Sequence, residues 1–301
     1  MYREASSLAF FDIKLLKSVV RRYMIEPLRI ENTETRTASG GVQVQPKTIS
    51  IIGLDGFPLV GVGDDLARII VETAEENTVF IEDGDIVVVS QKIVSKAEGR
   101  VVTLRDVMPS DRAKKMAKVA SKDPRFVELV LKESKKVLKC SLETLIIENG
   151  KGLVCINAGI DKSNVSGEDA YALLPEDPDE SAERIRSRIM ELTGKRVAVV
   201  ICDTYSRPFR RGQVEFAIGI ASIDPFKDYR GQEDLFDYVL KVKNIALVDE
   251  IASAAELVMG QGREAVPVAI IRNLSRPEPD RGVSTEDLNI SREEDLFRGT
   301  L

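Results

Sequence analysis

Two apolar runs in this chain each lead into a carboxylate. Val154-Cys-Ile-Asn-Ala-Gly-Ile-Asp-Lys-Ser-Asn164 delivers Asp161, and Val197-Ala-Val-Val-Ile-Cys-Asp-Thr-Tyr-Ser-Arg-Pro-Phe-Arg-Arg-Gly212 delivers Asp203. A charge is costly inside a hydrophobic sheet, so an acid just past a strand end sits where the sheet opens into a cleft and meets a cation or a donor. Two such ends can hold one metal between them, although either Asp alone can equally cap the next turn. With the hydroxyl of Thr204 they form a hard-oxygen set suited to magnesium, manganese or calcium. Arg207, Arg210 and Arg211 follow at once, and arginine forks match carboxylate or phosphate oxygens. The competing reading of that cluster is a surface ion-pair network with Glu215 or other acids.

Composition narrows the chemistry. The 301 residues contain no histidine, which excludes a Ser-His-Asp hydrolase, a Cys-His enzyme and a His-ligated zinc site. What remains is carboxylate, Lys, Arg, hydroxyl, backbone and hard-metal chemistry, the style of phosphoryl transfer. A formal net charge of −6 argues against general nucleic-acid binding, so an anionic ligand must be met locally. Cys140, Cys155 and Cys202 lack CxxC spacing and lie in or beside apolar runs, as suits reduced thiols. No apolar run approaches the roughly 18 residues of a membrane span, and Asp12 breaks the early Leu8-Ala-Phe-Phe11 patch. The expectation is a cytoplasmic protein without membrane or nucleic-acid partners.

The elements that must position these residues read as a mixed α/β, α+β body. Residues 1–48 form an N-terminal arm, with a helix expected over Ala5 to Met24 and a polar linker. Residues 49–274 form the body, and 275–301 a charged tail that reads as a surface segment or a flexible end. In the body, Ile49 to Leu54 reads as a strand, a loop runs to Gly63, and a helix starts at Asp64 or Asp65. The buried strand Ile86 to Ser90 delivers Gln91, Lys92 and Lys96. Ser110 starts a further helix, and the Lys-rich segment 114–122 is its solvated face. Asn149-Gly150 between two apolar runs predicts a tight hairpin turn. Asp177-Pro178 opens a helix that Gly194 closes, and Val197 to Cys202 returns as a strand ending before Asp203. A helix over Asp249 to Met259 meets Gly260-Gln-Gly262 ahead of a strand from Val266 to Arg272. Gly260 there serves either as helix cap or for close ligand approach. No GxxxxGK[ST] and no complete dinucleotide fingerprint occurs.

Several motifs, in order, resemble the coenzyme F420-0:gamma-glutamyl ligase family over about Ile49 to Leu274. They are Gly56-Phe-Pro-Leu-Val60, Val94-Ser-Lys-Ala-Glu-Gly99, Asn157-Ala-Gly-Ile-Asp-Lys-Ser-Asn164, Leu192-Thr-Gly-Lys-Arg196, Asp203-Thr204 with Arg207 and Phe209-Arg-Arg-Gly212, and Asp249-Glu250 leading to Leu257-Val-Met-Gly260. The resemblance implies a fold of two intertwined subdomains with packed helices, mixed sheets and β-hairpins, active as a homodimer. It implies a GTP-dependent ligase that phosphorylates a substrate carboxylate, from which the amino group of L-glutamate displaces phosphate. It also implies two Mg2+ or Mn2+ ions, with room for a monovalent cation. Asp161 and Asp203 would ligate the first metal; Thr204 and Gln261 would contact the second. Nucleotide contacts would fall on Phe57, Pro58, Leu59, Val60, Gln91, Lys92, Lys96 and Asn164. The others would be Met259, Gly260, Gln261, Gly262, Arg263, Glu264, Ala265 and Val266. From charge rather than motif, Arg207 and Arg210 are candidates for the anionic substrate or the acyl phosphate. The chain departs from the family pattern where Gln261 replaces a Glu and where Gln91-Lys92 stands for a small polar pair. The alternatives are an acid–amine ligase acting on another carboxylate, or a non-catalytic nucleotide- or deazaflavin-binding protein.

Overall fold

The structure, a computed structural model, describes residues 47–275, 279, 282–291 and 293–295. The chain divides between Lys47 and Thr48, and the helix expected over Ala5 to Met24 lies outside the described residues. The body is α+β. Its base is a five-stranded sheet of β1 (Ser50–Gly53), β12 (Val268–Arg272), β2 (Ile86–Ser90), β8 (Ala198–Ser206) and β9 (Gln213–Ala221), in that order. β2 and β8 run parallel, from the pair Ile86↔Ala198 to the pair Ser90↔Cys202, and the other neighbours are antiparallel. The continuous apolar run of β2 reflects a strand covered on both faces. Val87, Val89, Val199 and Ile201 pack with α1 (Leu66–Glu76) and α5 (Pro178–Thr193). Ile86, Val88, Ala198 and Val200 pack on the other face with α6 (Leu247–Met259). A short hairpin of β10 (Phe226–Asp228) and β11 (Asn244–Ala246) precedes α6.

A second subdomain is spliced into the first, so the two intertwine along the chain. After α2 (Gln91–Ala97) come β3 (Val101–Thr103), α3 (Asp111–Ala120) and α4 (Pro124–Lys132). The sheet of β4 (Lys136–Ser141), β5 (Thr144–Glu148) and β6 (Val154–Ile156) follows, and β7 (Ala170–Ala172) closes back on β3. This excursion has its own core, including Leu104, Val127, Leu145 and Ile147. Helix starts lie where side-chain acceptors were expected: Asp65, Ser110 and Asp177 each accept a backbone N–H from the first turn. Gly194 closes α5 in the left-handed conformation.

Three expectations need correction. The strand that begins near Val197 does not end before Asp203 but continues to Ser206, because pairing with β9 extends it through Thr204↔Glu215 to Ser206↔Gln213. The turn at Asn149-Gly150 is a wider loop closed by Asn149 N donating to Leu153 O; the Asn149 side chain accepts from Lys151 N and Leu153 N, and the positive φ falls on Gly152. The tail is anchored in part: Ser284 Oγ, Thr285 N and Thr285 Oγ1 donate to the Asp179 carboxylate, which also accepts from Ile220 N. Cys155 and Cys202 are buried and all three thiols are free, as expected. No helix among the described residues is long and apolar enough to cross a membrane.

The sheet is clamped at one end by a buried charge. Asp85, 1% exposed, takes both arms of Arg272, Nε at 2.8 Å and Nη2 at 2.7 Å, and also accepts from Glu82 N. The carboxylate raises the Arg272 pKa, chiefly through these bonds. Arg272→Ala would strand that carboxylate and should cost about 3–5 kcal/mol in urea unfolding. A loss below about 1 kcal/mol would instead mark the pair as solvent-screened.

Candidate active site

The parallel ladder ends at Ser90↔Cys202. Beyond it β2 turns into α2 while β8 runs on, paired with β9, and a cavity of about 390 Å³ opens between them. Ligand sites in α/β sheets characteristically lie at such carboxyl ends. Because side chains alternate across a strand, Asp203 and Thr204 project to opposite faces of β8. Each gathers its own partners.

On the α2 side, Asp161 pairs with Lys92 Nζ at 2.8 Å and also accepts from Ser163 N and Oγ. Burial opposes its ionisation, but Lys92 and Ser163 outweigh burial and leave its pKa lowered. A tight turn precedes it, in which Asn157, Ala158 and Gly159 all have positive φ. Such backbone is strained for the two non-glycine residues and persists only where its surroundings fix it. Here Asp161 exchanges backbone hydrogen bonds with Ala172. Asp203 is different: burial and then the nearby Glu215 push its carboxyl up to about 7, against weaker lowering by Thr204 N and Lys92. Lys96 also faces the cavity, its pKa lowered by burial and by Lys92.

On the α6 side, Thr204 Oγ1 donates to Glu215 Oε1 at 2.7 Å and lies 3.1 Å from Gln261 Oε1. Gln261 Nε2 donates to the same Glu215 oxygen at 2.7 Å. Gln261 belongs to the loop after α6, where Gly260 has φ +68° and ψ 175° and Glu264 accepts from Gly262 N. Asn164 Nδ2 reaches Gly262 O at 3.3 Å, joining the inserted subdomain to this loop. Among the described residues no group of three His, Cys, Asp or Glu side chains converges to hold a metal. A cation would therefore meet one or two carboxylates plus neutral oxygens. That donor set fits Mg2+ or Mn2+ beside phosphate, where the ion keeps waters and uses few protein ligands.

The cavity wall includes Phe57, Pro58, Leu59, Val60, Lys92, Lys96, Asn164, Asp203, Thr204 and the loop from Met259 to Val266. Asp161 reaches it through Lys92. Gln91 does not: it is buried, and its Nε2 donates to Ser95 Oγ and Leu173 O. Arg207 and Arg210 lie in the connection between β8 and β9, outside the cavity wall. Arg207 Nη2 donates to Arg211 O at 3.4 Å, and Arg210 is exposed. Among the described residues Arg207, Arg210 and Arg211 make no ion pair, so the network with Glu215 does not form. The wall also includes Glu215 and Glu256, which the sequence reading did not place in the site. The signal for Glu215 was available: it is a lone acid in the run Val214-Glu-Phe-Ala-Ile-Gly-Ile-Ala221, directly across from Thr204.

A cleft at the carboxyl ends of parallel strands, where Asp203 and Glu215 meet Lys92, Lys96 and a glycine loop, is where an α/β enzyme characteristically takes its ligand. The chain belongs to the F420-0:gamma-glutamyl ligase family, whose profile matches residues 56–273, and is a ligase forming carbon–nitrogen bonds. It is 44% identical over 254 residues to the Coenzyme F420:L-glutamate ligase of Methanothermobacter thermautotrophicus, covering 83% of this chain and 99% of that protein. Proteins of the same name from Archaeoglobus fulgidus and Methanocaldococcus jannaschii are 44% and 40% identical, each covering 84% of this chain and 98% of their own length.

Gly260 takes the first of the two roles expected of it, ending α6, and it also lines the cavity. A Cβ there would fall 2.6 Å from the Glu264 side chain. That side chain can swing aside, but the backbone conformation is essentially restricted to glycine. Gly260→Ala should lower unfolding stability by about 1–3 kcal/mol and raise hydrogen exchange through residues 260–266. Unchanged exchange there would show that the loop is not held by this residue.

Proposed function

We propose that this chain joins L-glutamate to the deazaflavin precursor coenzyme F420-0, using GTP and passing through an acyl phosphate. The observation that most favours this reading is the segregation of acids on the two faces of β8, beside Lys92, Lys96 and the glycine loop. Phosphoryl transfer needs positioned charge rather than a proton-shuttling imidazole, and this chain has no histidine.

A carboxylate oxygen of the precursor would attack the γ-phosphorus of GTP, and the β–γ bridging oxygen would leave with GDP. The glutamate amine would then attack the acyl carbon, forming the amide, releasing phosphate and losing a proton. Lys96 would offer its cation to phosphate oxygens, and the backbone N–H groups of the 260–266 loop would approach them closely. Phe57 to Val60 would supply an apolar wall. Lys92 would hold Asp161 in place. Asp161 and Asp203 would hold one divalent cation while Thr204 and Gln261 contact a second. Such ions, when bound, neutralise charge on transferring phosphate oxygens. Arg207 and Arg210 would attract the anionic substrate from the mouth of the site. The active form would be a homodimer.

Incubation of the protein with the deazaflavin precursor, glutamate, GTP and Mn2+ should add mass steps of one glutamyl unit and release GDP. An unchanged precursor beside bound GTP would support a binding protein instead, and turnover of a different acid would redirect the substrate assignment. Asp203→Asn should cut turnover by at least about 100-fold while the far-ultraviolet circular dichroism is retained. Near-normal turnover would remove Asp203 from the site.

A further inference from the structure

Glu215 is 4% exposed and has no ion pair among the described residues. It packs beside Cys202, whose thiol pKa burial raises well above normal. An ionised carboxylate in such a place needs compensation. Two neutral donors, Thr204 Oγ1 and Gln261 Nε2, approach one of its oxygens, both at 2.7 Å. These bonds also settle the orientation of the Gln261 amide. With Nε2 given to Glu215, Gln261 Oε1 lies 3.1 Å from Thr204 Oγ1. Glu215 Oε1, Thr204 Oγ1 and Gln261 Oε1 thus form a chain of oxygens with neighbours 2.7 and 3.1 Å apart. Adjacent ligands of an octahedral ion with bonds of about 2.1 Å stand about 3 Å apart.

We propose that Glu215 supplies the negative charge of the second cation site and holds Gln261 with its carbonyl oxygen toward the ion. Thr204 and Gln261 offer a cation only a hydroxyl and a neutral amide oxygen, and Glu215 adds the negative charge from the neighbouring strand. Thr204 and Glu215 are a directly opposed cross-strand pair, so their spacing is fixed by the β8–β9 ladder rather than by a loop. One carboxylate and two neutral oxygens make a modest site, whose remaining ligands are water and phosphate. This inference rests on the metal-assisted ligase reading above.

The experiment counts Mn2+ by electron paramagnetic resonance in protein saturated with GDP, for the wild type, Glu215→Gln, Asp203→Asn and Glu215→Gln/Gln261→Glu. Thermal melts check folding. The wild type should bind two ions. Glu215→Gln should weaken one of them by about 10- to 100-fold and leave the other unchanged, whereas Asp203→Asn should weaken the other. The double variant, which moves the acid to position 261, should recover most of the lost affinity. Two unchanged ions in Glu215→Gln, with Asp203→Asn still losing one, would overturn the role of Glu215 alone. Failure of the folded double variant to recover affinity would overturn the charge argument. No Mn2+ bound by the wild type would overturn this inference together with the metal-assisted reading on which it rests.

Discussion

The parallel ladder between β2 and β8 stops at Ser90 and Cys202, and the site depends on that stop. Had β2 continued, its backbone would have occupied the space into which Asp203 and its neighbours open. Instead β2 turns at once into α2, placing Lys92 and Lys96 one helical turn apart. β8 continues with β9 alone, its free edge toward the cavity. The same parallel pairing demands a long crossover. That crossover contains the whole inserted subdomain, which is how Asp161 and Asn164 reach the opening.

Charge is distributed unevenly around this opening. Lys92 is committed to Asp161, while Asp203 and Glu215 lack ion-pair partners among the described residues, and burial and then Glu215 push the Asp203 carboxyl up. A floor of this kind does not help the protein fold; buried like charges work against the packed state. Its tolerance is understandable where stability is held elsewhere, as in the Asp85–Arg272 clamp and the two apolar cores of the main sheet. On one face of β8 Asp161 meets Lys92 and Ser163, and on the other Glu215 meets Thr204 and Gln261, while the strand fixes the distance between the two groups.

Much of this was legible in the sequence because it rests on local rules. The caps at Asp65, Ser110, Asp177 and Gly194 follow from hydrogen bonds within one helical turn. The cavity loop was legible through its glycines, and the acids Asp161 and Asp203 through the apolar runs that precede them. Pairing was not legible. Asp203 read as lying beyond a strand because polar residues begin there, yet the ladder to β9 carries Asp203 and Thr204 as strand residues. Without that ladder Glu215 had no address. The Asn149-Gly150 turn failed for a related reason, since the Asn149 side chain organises the loop and moves the glycine requirement to Gly152.

Gln91 shows how a residue can matter to this site without touching it. Its Nε2 donates to Leu173 O at 2.9 Å, and Ser95 Oγ donates to the same oxygen at 2.6 Å. Leu173 follows Ala172, the residue that exchanges backbone hydrogen bonds with Asp161. The first turns of α2 therefore hold the returning chain of the inserted subdomain, and that chain holds Asp161. Lys92, the next residue along α2, closes the circuit through its ion pair with the same carboxylate. Among the described residues Gln91 Oε1 has no hydrogen-bond partner, and a buried unsatisfied acceptor costs about 1–3 kcal/mol. A small polar residue would avoid that cost but would leave the Leu173 oxygen to Ser95 Oγ alone. The long amide at this position is therefore explained by registration of two subdomains, with Asp161 as the atom group whose position depends on it.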